Sequence, residues 1–144
     1  MFAALREAEQ ALSENEVPIG AVVVKNDRII GRGYNQVEKL KDATAHAEMI
    51  AITAASNHLG SWRLDDCSLY VTLEPCVMCT GALLASRIKV LYFGANDAKF
   101  GACGSVYNLI ETGKTNHTLK VFTGIYSDES KHLLQQFFKK IRRQ

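Results

Sequence analysis

Long hydrophobic runs are missing from this sequence: no apolar stretch approaches the roughly 18 residues that a membrane span needs. The segment from Met1 to Glu16 carries charges throughout and lacks the apolar centre of a secretory signal. Two prolines, with no repeat, low-complexity tract or linker, exclude a Pro-rich or solenoid chain and leave one domain over residues 1–144 as the expectation. Without a secretory signal, four cysteines do not suggest a disulfide framework. A soluble, cytoplasmic protein with no membrane association is expected. Net charge is nearly absent too, at +2, and taken whole it says little about partners.

What is present is enough apolar material for a core, 47% of the chain, in readable periods. Met1, Ala4, Leu5, Ala8, Ala11 and Leu12 fall at helical spacing. Ile19 to Val24 is β-branched and continuously apolar, a buried strand. Asn26-Asp27 is a turn signal, and Arg28 to Tyr34 is its hairpin partner. Ala45 to Ser56 reads as helix and Ser68 to Leu73 as strand. Pro75 suits the first position of a helix running to about Ser86. Lys89 to Phe93 and Thr118 to Thr123 are strands, with a loop from Asn96 to Gly104 between them. Leu133, Leu134, Phe137, Phe138 and Ile141 mark an amphipathic last helix, with one of the two phenylalanines in the core and the other exposed. The order α-β-β-α-β-α-β-loop-β-α predicts an α/β fold whose sheet is covered on both faces. Helix starts that follow strands are where such folds place chemistry.

Two motifs fall at helix starts. His46-Ala47-Glu48 is common by chance and weak alone. Pro75-Cys76-Val77-Met78-Cys79 has three ordinary readings: half of a structural metal site, a redox dithiol, or packed thiols. Together they are specific. A catalytic zinc takes three protein ligands and keeps a fourth position open for water. His46, Cys76 and Cys79 make three. Cysteines three apart share one side of a helical turn, and a helix amino end favours the thiolate that binds metal. Glu48, pointing away from the direction of His46, is the candidate proton carrier between a metal-bound water and a substrate. Its bland alternative is a surface carboxylate complementing the helix dipole.

Two rivals compete. A closed structural site needs a fourth ligand, for which only Cys67 and Cys103 are available, and both read as packed residues. A thioredoxin-like dithiol leaves His46 and Glu48 without a role.

H-x-E with P-C-x-x-C is the signature of zinc nucleobase deaminases. Four segments extend the likeness: Glu16 to Ala21 (Glu-Val-Pro-Ile-Gly-Ala), Thr44 to Glu48, Leu69 to Cys79, and Gly101 to Ser105. Over essentially its whole length the chain resembles the bacterial tRNA-specific adenosine deaminases. Its first helix starts a few residues late relative to them, which suggests a missing short leader. The resemblance implies a cytidine deaminase-like fold: a three-layer α/β/α sandwich around a mixed five-stranded sheet. It implies hydrolytic conversion of the wobble adenosine of a tRNA anticodon to inosine, with Zn2+ on His46, Cys76 and Cys79 and with Glu48 as proton shuttle. It also implies a homodimer.

Carried over by position, Asn35 contacts the target base, as does the Ala47 backbone amide. Asp97 contacts the substrate sugar. Phe138 stacks on an anticodon-loop base, and Lys139, Arg142 and Arg143 hold phosphates. The plain alternatives are a turn residue for Asn35, a loop cap for Asp97 and core packing for Phe138. Asn96 departs from the family, where a basic residue commonly precedes the aspartate, and this weakens one phosphate contact.

Charge position agrees with an anionic partner. Lys139, Lys140, Arg142 and Arg143 sit in the last six residues, so the remainder of the chain carries −2. A solvated helix end explains the same pattern, because Lys and Arg suit a helix C-terminus. The competing functions are a free guanine or cytosine deaminase with the same zinc chemistry, and a non-catalytic RNA-binding subunit. The latter would be expected to have lost Glu48.

Overall fold

A computed structural model describes residues 1–115 and 117–143. The elements are α1 (Phe2–Ser13), β1 (Gly20–Lys25), β2 (Arg28–Tyr34), α2 (Val37–Leu40), α3 (Ala47–Leu59), β3 (Ser68–Leu73), α4 (Val77–Ala85), β4 (Val90–Ala95), β5 (Lys120–Phe122) and α5 (Ser127–Arg142). Five strands form one mixed sheet in the order β2-β1-β3-β4-β5. β1 runs antiparallel to both β2 and β3, while β3, β4 and β5 are parallel. No helix among the described residues is long and apolar enough to cross a membrane.

The hairpin follows from its turn. Asn26 and Asp27 both take positive φ, 51° and 62°, the conformation that matches the twist of two paired strands and that Asn and Asp tolerate best. Beyond it the alternation of side chains sorts the layers. Ala21 and Val23 of β1, Leu69 and Val71 of β3, and Leu91 and Phe93 of β4 face one way, into a core completed by Ala47, Ala51 and Ala55 of α3 and Leu83 of α4. The small residues of α3 lie close against β2. A Cβ on Gly33 would stand 2.3 Å from the Ala47 carbonyl oxygen, and one on Gly31 would stand 2.4 Å from that of Ala51. These two glycines therefore set the depth at which α3, and with it His46 and Glu48, is seated. The opposite face carries α1 and α5, and the buried Ser130 hydroxyl of α5 donates to the Thr72 carbonyl. The arrangement is the expected three-layer sandwich.

β1, β4 and β5 differ from the sequence reading by one or two residues at their ends, and the helices differ in three respects. Pro75 is not the first residue of α4: Cys76 is the N-cap, extended at φ −76° and ψ 179°, and the helix begins at Val77. Pro75 instead offers its carbonyl to the Ala102 amide at 2.9 Å. α3 begins at Ala47 with His46 as its N-cap, two residues later than expected, and runs on to a left-handed Gly60. The one-turn α2 was not foreseen. It exists because the buried Glu16 carboxylate accepts the amides of Glu38 (3.1 Å) and Lys39 (2.7 Å), a cap supplied from far along the chain.

Candidate metal centre and substrate cavity

Two helix N-termini meet at the carboxyl end of β3. His46 caps α3 and Cys76 caps α4, both with extended backbone, so each side chain leaves its helix at the end rather than along the flank. Cys79 lies in the first turn of α4, back over Cys76. His46 Nδ1 is 3.6 Å from Cys76 Sγ and 3.6 Å from Cys79 Sγ. All three ligand atoms lie within 4.8 Å of one another. Metal–nitrogen and metal–sulfur arms of about 2.0 and 2.3 Å at a tetrahedral angle span about 3.5 Å. The imidazole and the thiols are therefore already at coordination distance, and the donor set fits a metal ion of this kind.

Among the described residues no fourth His, Cys, Asp or Glu joins this group. Cys103 Sγ is 3.3 Å from the Thr80 hydroxyl, and Cys67 is fully buried in the core. Neither closes the site, as their packed reading anticipated.

Charge is arranged to match. The Cys76 thiol is held down at about 4, first by its hydrogen bond with Cys79 and then by His46, against the opposing pull of burial. The same shared proton drives Cys79 upward, with burial adding to it. His46 is raised, chiefly by its bond to Cys76. Glu48 is 4% exposed, and burial pushes its carboxyl up to about 7. It stands in the first turn of α3. The surface-carboxylate reading is excluded, because a dipole-complementing Glu would be solvated.

His46, Glu48 and Cys76 line a cavity of about 1730 Å³, with Cys79 buried behind them; it is larger than the 300–1,000 Å³ typical of a small-molecule pocket. Asn35, Ala47, Asp97 and Phe138 all line it. Asn35 is 7% exposed, and its Oδ1 is the one buried side-chain oxygen or nitrogen among the described residues that lacks a hydrogen-bond partner. A ligand donor is what such an atom needs. Asp97 does cap its loop, with Oδ1 accepting the amides of Lys99 (3.0 Å) and Phe100 (3.2 Å), while lining the cavity as well. Phe137 is 8% exposed and Phe138 48%, edge to face at 5.2 Å, so one is buried and the other exposed as expected, and both line the cavity.

Lys139, Arg142 and Arg143 are exposed but do not line the cavity. Lys140 does, with its Nζ 2.8 Å from Asn15 Oδ1. Asn96 is exposed at the rim. The sequence reading passed over Phe100 and Tyr107, which are exposed aromatics on the same rim, and over the buried carboxylates Glu16 and Glu74. The available signal for Glu74 was a charged residue ending an apolar strand and abutting Pro75-Cys76.

An α/β/α sandwich with one imidazole, two thiols and a buried glutamate at paired helix starts defines a deaminase of the cytidine deaminase-like fold. The family model of the MafB19-like deaminases matches residues 1–142. A tRNA-specific adenosine deaminase of Aquifex aeolicus (strain VF5) is 48% identical, the match covering 96% of this chain and 91% of that protein. A solved structure from work on A-to-I editing by tRNA:A34 deaminases superposes with a TM-score of 0.90 at 44% identity, covering 93% of this chain and 97% of that one. A guanine deaminase from Bacillus subtilis is more distant, with a TM-score of 0.64 at 33% identity over 98% of this chain and 90% of its own. This chain belongs to the family of tRNA-specific adenosine deaminases.

Proposed function

We propose that this protein converts the wobble adenosine of a tRNA anticodon to inosine, with Zn2+ held by His46, Cys76 and Cys79. The observation that carries the reading is the three-ligand cluster, with buried Glu48, set against the wall of a cavity sized for more than one nucleotide. Zinc, when bound, supplies a Lewis acid that brings the pKa of water from 15.7 toward about 7.

The rest is done by this chain. Glu48 takes a proton from the attacking water and delivers it to N1 of the adenine ring as oxygen joins C6. The same carboxylate then takes the proton of the new C6 hydroxyl and gives it to the exocyclic amine. The C6–N bond breaks, ammonia leaves and inosine remains. Burial suits Glu48 to this work, because a carboxyl with a pKa near neutrality both accepts and returns a proton.

Reaching C6 requires an unstacked base. Asn35, with its unsatisfied Oδ1, and the Ala47 amide hold that base, Asp97 meets the ribose, and Phe138 stacks on a neighbouring base. Lys139, Arg142 and Arg143 lie beyond the cavity and serve phosphates further along the RNA; Lys140 joins them from the rim. We place the enzyme in the cytoplasm as a homodimer, as the family implies, and read residues 1–144 as one domain.

An anticodon stem-loop with adenosine at the wobble position is expected to yield inosine, detected by nucleoside analysis. Turnover of free guanine or cytosine with the stem-loop left intact would instead assign a free-base deaminase. Truncation after Ile141 removes two cations. It is expected to weaken stem-loop binding and to flatten the slope of log affinity against log salt by about 1 to 2. An unchanged slope across a salt series removes the tail from the RNA site.

A further inference from the structure

We propose that Glu74 is a positioning residue: its buried carboxylate holds the loop from Asp97 to Ser105 against the metal-ligand turn, so that the loop meets the substrate in one conformation. The inference rests on the functional reading above, because that reading gives the loop a substrate to hold.

Glu74 directly precedes Pro75 and Cys76 and is 2% exposed. Its Oε1 accepts the Asp97 amide at 3.0 Å, and its Oε2 accepts the amides of Cys103 (3.0 Å) and Ser105 (3.1 Å). The Ser105 hydroxyl also donates to Oε1. Four donors, close to the capacity of an ionised carboxylate, come from this one loop. The carboxylate is thus committed and has no part in moving substrate protons.

Asn96, Ala98, Lys99 and Phe100 are exposed, whereas Ala102 is buried. Besides Glu74, the loop is tied to the metal-ligand segment by the bond from the Ala102 amide to the Pro75 carbonyl and by the contact of Cys103 Sγ with the Thr80 hydroxyl. Gly101 records how close the approach is. A Cβ there would lie 2.4 Å from both Cδ and Oε2 of Glu74. The segment between Asp97 and Ser105 is therefore wrapped around a single charged group, and Asp97, Lys99 and Phe100 enter the cavity wall from that wrap.

Glutamine has nearly the same shape but replaces one oxygen by an NH2 group, which sets a donor against the loop's own N–H donors. Glu74→Gln is expected to raise KM for the anticodon stem-loop by about tenfold or more, the scale of a substrate contact moved by a fraction of an ångström to 1 Å. Turnover number is expected to stay within about threefold and the acid limb of the pH profile not to move, because Glu48 and the metal ligands are untouched. Metal content is expected to be unchanged. Hydrogen exchange, measured without RNA, is expected to show lost protection at the Asp97, Cys103 and Ser105 amides. Ser105→Ala removes one donor from an exposed position and is expected to give a smaller rise in KM, which keeps the test open if Glu74→Gln folds poorly.

Protected amides in Glu74→Gln would overturn the tether. Deprotected amides with an unchanged KM would show that the loop does not hold substrate. Metal loss, or a fall in turnover number at constant KM, would move Glu74 to the service of the metal turn. Failure of the wild type on the stem-loop would refute the functional reading alone, since the exchange measurement needs no RNA.

Discussion

Glu48→Ala is expected to reduce deamination of the anticodon stem-loop by at least about 10²- to 10⁴-fold, the span that a positioned acid–base group contributes. Bound metal is expected to remain near one ion per chain. The reasoning is geometric. His46, Cys76 and Cys79 form a cluster within 4.8 Å that does not include Glu48, so its removal leaves every ligand in place. It also removes a buried group whose charged form is costly: burial raises the carboxyl to about 7. The variant is therefore expected to fold at least as well as the parent, separating lost chemistry from lost structure by Tm and metal analysis. The sign of the pH dependence follows. Glu48 works as a base, so kcat/KM rises as pH passes upward through its pKa. A bound cation favours the carboxylate and lowers that pKa, which puts the acid limb at or below about 7. A limb well above 7 would show that another group is the base, and metal lost together with Glu48 would show that the carboxylate is a ligand.

The site was legible in the sequence because its chemistry is carried by rare residues at fixed spacing. His46, Cys76 and Cys79 could be assembled from two short motifs, since each motif sits at the start of a helix. The fold was legible where burial leaves a pattern, as in the unbroken apolar run of β1 or the Phe137/Phe138 division. What could not be read was whatever depends on one side chain reaching across the chain. α2 has too few residues to show a period and forms because Glu16 caps it. Glu74 looked like the polar end of a strand, and its four partners lie more than 20 residues away. Pro75 was placed inside α4 by propensity alone, whereas the extended Cys76 that aims a thiol at His46 requires the helix to begin later. The local rule lost to the site at that position. In the tail, charge counting picked out Lys139, Lys140, Arg142 and Arg143 together, and the family resemblance chose Lys139, Arg142 and Arg143 among them. Which cation faces the cavity depends on helix phase, and phase chose Lys140.

Cys79→Ala is expected to take metal content from about one ion per chain to a small fraction of that, because a three-ligand site with one ligand gone is no longer closed on the protein side. Turnover is expected to fall to background with it, further than for Glu48→Ala, since both the Lewis acid and the partner for the carboxylate go at once. Cys79 is fully buried, so alanine fits the space and the loss reports coordination rather than a disrupted fold. The proton balance gives a second, independent reading in the unmodified protein. Without metal, Cys76 is held down at about 4 and Cys79 is driven up, because one proton serves both sulfurs. Binding a divalent ion requires both as thiolates, so Cys79 must give up its proton. Metal binding at neutral pH is therefore expected to release about one proton from this pair, and apparent affinity to fall as pH falls. Calorimetry in two buffers of different ionisation enthalpy measures the release directly. A pH-independent affinity with no proton released, or full metal content in Cys79→Ala, would mean that this sulfur is not a ligand and that the ion, if held, is held elsewhere.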